Sequence, residues 1–129
     1  SGWKGAVTGI IENTFKKIFD MGVNNKIYVA VGPCIGINNY EVGKEFYDEF
    51  IRENKENKIF FSNSKEGKLL FNLRACVNSK IKKFDINHIE NIEFDTFLEK
   101  ENFFSYRRSK QIGEKDYGRC ISTISLNNV

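Results

Sequence analysis

Apolar residues recur at three- and four-residue intervals over residues 8–21. Ile10, Ile11, Phe15, Ile18 and Phe19 share a face while Lys16, Lys17 and Asp20 fall off it, which predicts an amphipathic helix with one buried side. Gly22 closes that helix as a C′ glycine. Residues 27–31 then form a continuous, β-branched apolar run, the pattern of a short strand covered on both faces. The strand feeds directly into Gly32-Pro33-Cys34-Ile35-Gly36. Beyond this turn Val42, Phe46 and Phe50 repeat every four residues, with Glu45, Asp48 and Glu49 at polar positions. A second helix follows from that spacing, capped by Asn39 and fraying near Glu53.

The polar stretch 53–58 reads as a loop, 59–62 as a short strand, 64–67 as a turn and 69–71 as a further extended segment. Asn72 stands at an N-cap position, and Leu73, Cys76, Val77, Ile81 and Phe84 trace a third apolar stripe, so a helix ending near Phe84 is expected with Cys76 in the core. Strands are predicted at 89–94 and at 120–126, the latter with Ser and Thr between apolar residues. Between them, 103–108 leads into the polar segment 109–117. No internal repeat or low-complexity tract is visible.

At 129 residues, with 40% apolar and 14% aromatic content, the chain suffices for one packed core, and a single domain over 1–129 is expected. No stretch approaches the roughly 18 apolar residues of a membrane span, and no basic segment leads into an apolar one at the amino terminus. The expectation is a soluble cytoplasmic protein without a membrane partner. Three cysteines, 34, 76 and 120, lack any Cys-x-x-Cys spacing, which argues against a disulfide framework or a zinc knuckle and for a reducing compartment. The formal charge of +3, from 20 basic and 17 acidic residues, is dispersed, so no nucleic-acid partner is expected.

The chain's only proline precedes Cys34, and glycines stand on either side, so the backbone is shaped around one thiol at the end of a strand. Such positions expose reactive groups in open α/β architectures; the thiol reads as a metal ligand or nucleophile, or else as a small apolar residue filling a tight turn. Arg107 and Arg108, after an aromatic pair and Tyr106, offer forked donors for a phosphate or carboxylate, or form a solvated pair at a strand end. Gly2-Trp3-Lys4-Gly5 precedes a helix whose amino end can receive an anion, unless it is a flexible lead-in. His88 is the only histidine, so a mainly imidazole metal site cannot be built from these residues; it reads as a polar turn residue.

In order, Gly2-Trp3-Lys4-Gly5, Gly32-Pro33-Cys34-Ile35-Gly36, Tyr40-Glu41-Val42-Gly43 and Phe103-Phe104-Ser105-Tyr106-Arg107-Arg108 resemble the laccase-domain family. Its members were described as multicopper polyphenol oxidoreductases and are associated with purine nucleoside phosphorylase activity. The resemblance runs over nearly the whole chain and covers about the carboxyl-terminal half of the family's domain. It implies part of an α+β (or α/β) fold of the cytotoxic necrotizing factor-like type, a mixed β-sheet packed with helices.

The resemblance further implies phosphorolysis of adenosine or inosine, with a purine nucleoside and phosphate as partners and zinc as cofactor. Cys34 matches the family's cysteine metal ligand and catalytic contact. Lys4, Tyr106, Arg107 and Arg108 are implied as phosphate or substrate contacts. Of the family's two histidine ligands, one falls before Ser1 and the other aligns with Ile51, which is expected to point into the same cavity as Cys34. Lys4 replaces the usual arginine, Asn72 the usual aspartate and Asp95 the usual cysteine. The alternatives are a catalytically silent relative that binds a partner, and a polyphenol oxidoreductase, for which the histidines are too few.

Overall fold

A computed structural model describes residues 2–23 and 26–126. The helix expected over 8–21 is α2 (Ile10–Asp20), and a short helix that the apolar pattern did not predict, α1 (Trp3–Val7), precedes it. The break sits at Gly9, which adopts φ +82°, a left-handed conformation that most side chains resist. Ile11 and Phe15 are the buried positions of α2, as the stripe required, and α2 gives way to Gly22 where the sequence placed its end.

Strand β1 (Tyr28–Val31) follows and pairs in parallel with β5 (His88–Asn91), Tyr28 opposite His88 and Val31 opposite Asn91. Strand β5 begins one residue and ends three residues before the pattern at 89–94 predicted. After the cysteine turn the structure departs from the four-residue repeat. Ile37–Asn39 is a 3-10 turn, Glu41–Val42 is a short strand, β2, and α3 spans Lys44–Glu53 with Gly43 at its N-cap. Asn39 therefore caps no helix, and its side chain is committed to Asp95 instead. Val42 is buried from β2, because β2 pairs with β4 (Leu69–Phe71) rather than continuing the helix.

The expected loop at 53–58 is mostly a 3-10 helix, Lys55–Phe60, whose N-cap Asn54 accepts the Glu56 amide. It delivers the chain to β3 (Phe61–Asn63), and β2-β4-β3 form an antiparallel sheet. Helix α4 (Leu73–Lys82) begins where Asn72 accepts the Ala75 amide at 3.0 Å, the cap predicted from sequence. Helix α5 (Tyr106–Gln111) carries both arginines, so they do not lie at a strand end. Residues 120–126 form no strand. The elements and the mixture of parallel and antiparallel pairing make an α+β fold.

Two apolar clusters hold these elements. One is aromatic: Tyr40, Phe50 and Phe71 are buried with Ala6, Leu73 and Cys76, and Phe46 packs against them. Phe50 and Phe71 lie 4.7 Å apart between ring centroids and are fully buried. The other joins α2 to α4 and β1 through Ile11, Phe15, Ile81 and Ile86. No helix among the described residues is long and apolar enough to cross a membrane.

Candidate active site

The cysteine turn is pinned from the side by the segment that follows β5. Cys34 forms an isolated parallel bridge with Asp95, and its carbonyl accepts the Thr96 amide at 3.1 Å. The Asp95 carboxylate accepts from Asn39 Nδ2 at 2.7 Å and from the Phe97 amide at 2.8 Å. It lies so close to Gly36 that a Cβ there would stand 2.4 Å from Asp95 Oδ2, which explains the second glycine of the motif. Burial raises the Asp95 pKa, but the amide of Gly36, Asn39 and the further backbone donors outweigh it and hold the carboxyl below its usual range. Asp95 is therefore a charged tether of the turn.

Cys34 is half-buried against the aromatic cluster. Burial pushes its thiol pKa up, Arg74 opposes this and Asp95 adds to it, so the protonated thiol is favoured. Arg74, which the sequence patterns did not single out, donates to the Phe94 carbonyl at 3.3 Å and buries Nη1 without a hydrogen-bond partner among the described residues.

Beside the turn opens a cleft of about 470 Å³, with Trp3, Tyr40, Phe46, Phe104, Tyr106 and Arg107 on its walls. Ile35 and Thr96 bring the cysteine turn to its edge, whereas Cys34 itself is not a lining residue. Arg107 donates from Nη1 to the Glu41 carbonyl at 2.8 Å, and its guanidinium carbon lies 5.5 Å from the Tyr40 ring centroid. Burial, opposed by Arg107, pushes the Tyr40 phenol up to about 12. The Glu41 carboxylate is taken by Lys68 and Ser64, which draws it below the usual carboxylate range. Tyr106 is braced edge-on by Tyr117 at 4.9 Å, and Trp3 packs at 4.8 Å on Phe46.

The predicted site residues thus separate. Tyr106 and Arg107 meet in the cleft; Lys4 is exposed on α1 with its ammonium 5.6 Å from the Trp3 ring centroid and is not a lining residue. Ile51 is half-buried on α3 and does not line the cleft. Arg108 turns inward, donating to the carbonyls of Thr96 and Phe97 at 2.8 Å each and to Phe103 at 2.5 Å. One guanidinium fork closes the loop that carries Phe104 and Ser105. Arg108→Ala is expected to lower unfolding stability by about 2 kcal/mol, since hydrogen bonds to charged groups are worth about 1.5–3 kcal/mol. Urea denaturation measures this, and an unchanged midpoint removes the clasp.

Zinc does not fit the described residues. No group of three or more His, Cys, Asp and Glu among them is placed to hold a metal ion. His88 is exposed on β5, its ring centroid 5.0 Å from that of Tyr28.

Residues 1–127 match the family model described as multi-copper polyphenol oxidoreductase laccase. The chain belongs to that family. Among its laccase-family relatives, a purine nucleoside phosphorylase of Rickettsia conorii is 38% identical over 127 residues, which are 98% of this chain and 52% of the relative. A purine nucleoside phosphorylase of Haemophilus influenzae is 33% identical over 115 residues, 88% of this chain and 46% of the relative. Among solved structures, the Bacillus licheniformis hypothetical protein YfiH superimposes with a TM-score of 0.74 at 27% identity, over 85% of this chain and 43% of that one. A Neisseria meningitidis protein gives a TM-score of 0.71 at 28% identity, over 84% and 44%. This laccase-family chain spans about half the length of the relatives it matches.

Proposed function

We propose that the cleft binds a purine nucleoside together with phosphate, as adenosine or inosine, and that the chemistry it serves is phosphorolysis. The observation that carries this reading is the cleft itself. Aromatic faces of Trp3, Tyr40, Phe46, Phe104 and Tyr106 suit a flat purine, and Arg107 sits among them as a forked anion donor. The names of the relatives point the same way.

In phosphorolysis a phosphate oxygen forms a bond to the anomeric carbon while the carbon–nitrogen bond to the purine breaks, and the bonding pair leaves with the base. Positive charge builds on the ribose, so the phosphate must be close and aligned. Arg107 orients it, with Lys4 adding charge from α1 and Tyr106 stacking on the substrate. Arg108 positions the wall, and Cys34 acts through the turn that sets Ile35 and Thr96.

Trp3 is the chain's only tryptophan and lines the cleft, so its fluorescence reports occupancy. Adenosine or inosine with phosphate is expected to quench it, and product analysis, with and without added zinc, is expected to yield free base and ribose 1-phosphate. Quenching without product supports the second reading, a nucleoside-binding relative without turnover, which the apolar Ile51 at the aligned histidine position favours. Neither quenching nor product defeats both. Undiminished turnover by Cys34→Ala removes the thiol from the mechanism.

A further inference from the structure

Tyr40 is fixed by its ring and its backbone, and its hydroxyl is left over. The residue is 9% exposed, its carbonyl accepts the Phe71 amide at 3.0 Å, and Phe46 and Phe71 meet its ring in T-shaped contacts at 5.9 and 5.6 Å between centroids. A buried phenol normally finds a partner for its O–H. The Tyr40 hydroxyl has none among the described residues. Nor is it one of the side-chain atoms enclosed there without a partner, which are Glu12 Oε2, Arg74 Nη1 and Asn78 Oδ1. Its oxygen is therefore open to solvent, and the space that Tyr40 lines is the cleft.

Arg107 is in the same condition. One N–H goes to the Glu41 carbonyl, while no carboxylate pairs with the guanidinium among the described residues and the Glu41 carboxylate is held by Lys68 and Ser64. The other N–H groups of the fork remain to be used. The guanidinium carbon stands 5.5 Å from the Tyr40 ring centroid, which puts a neutral O–H and a charged fork on one wall. Burial, helped by the Cys34 thiol and opposed by Arg107, pushes the phenol up to about 12, so it keeps its proton at ordinary pH and acts as a donor. A fork with one further donor suits a tetrahedral oxyanion, which offers more acceptor oxygens than a carboxylate.

We propose that Tyr40 donates its hydroxyl to the inorganic phosphate that Arg107 holds, so that a phenol and a guanidinium grip the anion from one wall of the cleft. The inference rests on the phosphate half of the proposed function and not on the nucleoside half. A fork alone leaves the phosphate free to turn about the axis through the guanidinium carbon. The phenol stops that rotation and leaves another oxygen for the anomeric carbon.

The test titrates inorganic phosphate alone into the complete chain, with chloride at equal ionic strength as the blank, and reads the heat of binding. Tyr40→Phe removes only the hydroxyl and is expected to weaken phosphate binding about tenfold to a hundredfold, as for a hydrogen bond to a charged partner. In an Arg107→Ala background the same change is expected to cost less than about threefold, because the two donors share one anion. The urea midpoint of Tyr40→Phe and its Trp3 quenching by adenosine are expected to match the unaltered chain, whereas a merely structural role would move both. In the unaltered chain phosphate is expected to shift the tyrosine near-ultraviolet absorption, a measurement that does not depend on how well Tyr40→Phe folds, and no shift overturns the proposal. Phosphate binding by Tyr40→Phe within about threefold of the unaltered chain also overturns it, as does an unaltered chain that binds no phosphate. If adenosine still quenches Trp3 in that last case, the nucleoside half of the reading survives. If phosphate binds as expected and adenosine does not, the phosphate grip stands and the nucleoside half falls.

Discussion

Lys80→Ala is expected to lower the unfolding free energy by about 3 kcal/mol, measured by urea denaturation at neutral pH. The Lys80 side chain is 4% exposed, and its ammonium donates to Glu12 Oε1 at 2.9 Å and to Glu53 Oε1 at 2.6 Å. One cation therefore ties α2, α3 and α4. Breaking a buried pair typically costs about 3–5 kcal/mol because a charge is left without its partner. Here Glu12 and Glu53 retain 33% and 31% exposure and partly rehydrate, which sets the low end of that range. Glu12 Oε2 is already buried without a hydrogen-bond partner among the described residues, so little is left to compensate.

The same triad predicts a pH dependence. Burial alone pushes the Glu12 carboxyl up, but the hydrogen bond and charge of Lys80 outweigh it and leave it below its usual value. On Lys80 burial pulls the ammonium down, and the bonds from Glu53 and Glu12 outweigh that and leave it raised. Glu12's contribution is thus present above the unfolded carboxyl pKa and lost as pH falls through the folded one. Lys80's is complete below the unfolded amine pKa and lost as pH rises through the folded one. Between about pH 6 and about pH 3 the wild-type urea midpoint is expected to fall more steeply than that of Lys80→Ala. Equal slopes would show that the triad is not the source.

Arg107→Ala is expected to reduce kcat/KM for phosphorolysis by about 10²–10³-fold, the usual cost of deleting one preorganised charge-stabilising donor. The guanidinium is anchored by the Glu41 carbonyl and by the face of Tyr40, so it approaches the cleft as a positioned fork instead of a swinging charge. Arg107→Lys should recover only part of the loss, because an ammonium keeps the charge but not the bidentate geometry. Nucleoside binding, read from Trp3 quenching, should stay within about threefold in both variants, since a difference of 1.4 kcal/mol is already tenfold. An Arg107→Ala variant whose phosphate dependence is unchanged sinks the assignment.

Where side-chain periodicity and short-range capping decide the structure, the sequence was legible. The stripe of α2, the cap at Asn72, the apolar stripe that carries Cys76 and the run that launches the cysteine turn are all patterns of residues a few positions apart. The four-residue repeat Val42, Phe46, Phe50 misled because two architectures share it. Val42 is buried by sheet pairing with β4, which no local pattern announces, and only Phe46 and Phe50 belong to a helix. Arg107 and Arg108 are adjacent and chemically identical, yet one lines the cleft and the other closes a loop on three carbonyls. Arg74 carried no signal at all, since it differs from a surface arginine only by what surrounds it in the fold.

The sequence alone therefore determined which segments are amphipathic, where a thiol is presented in a rigid turn, and, through four ordered motifs, the family. Only the tertiary structure decided which aromatic rings share a cleft and which arginine faces it. It also decided that Asp95 tethers the turn, because such choices depend on residues dozens of positions apart competing for the same donors and the same apolar volume. Residues 120–126 belong to that second kind: their alternation is strand-like, but a strand needs a neighbour, and pairing is a property of the assembled sheet rather than of the segment.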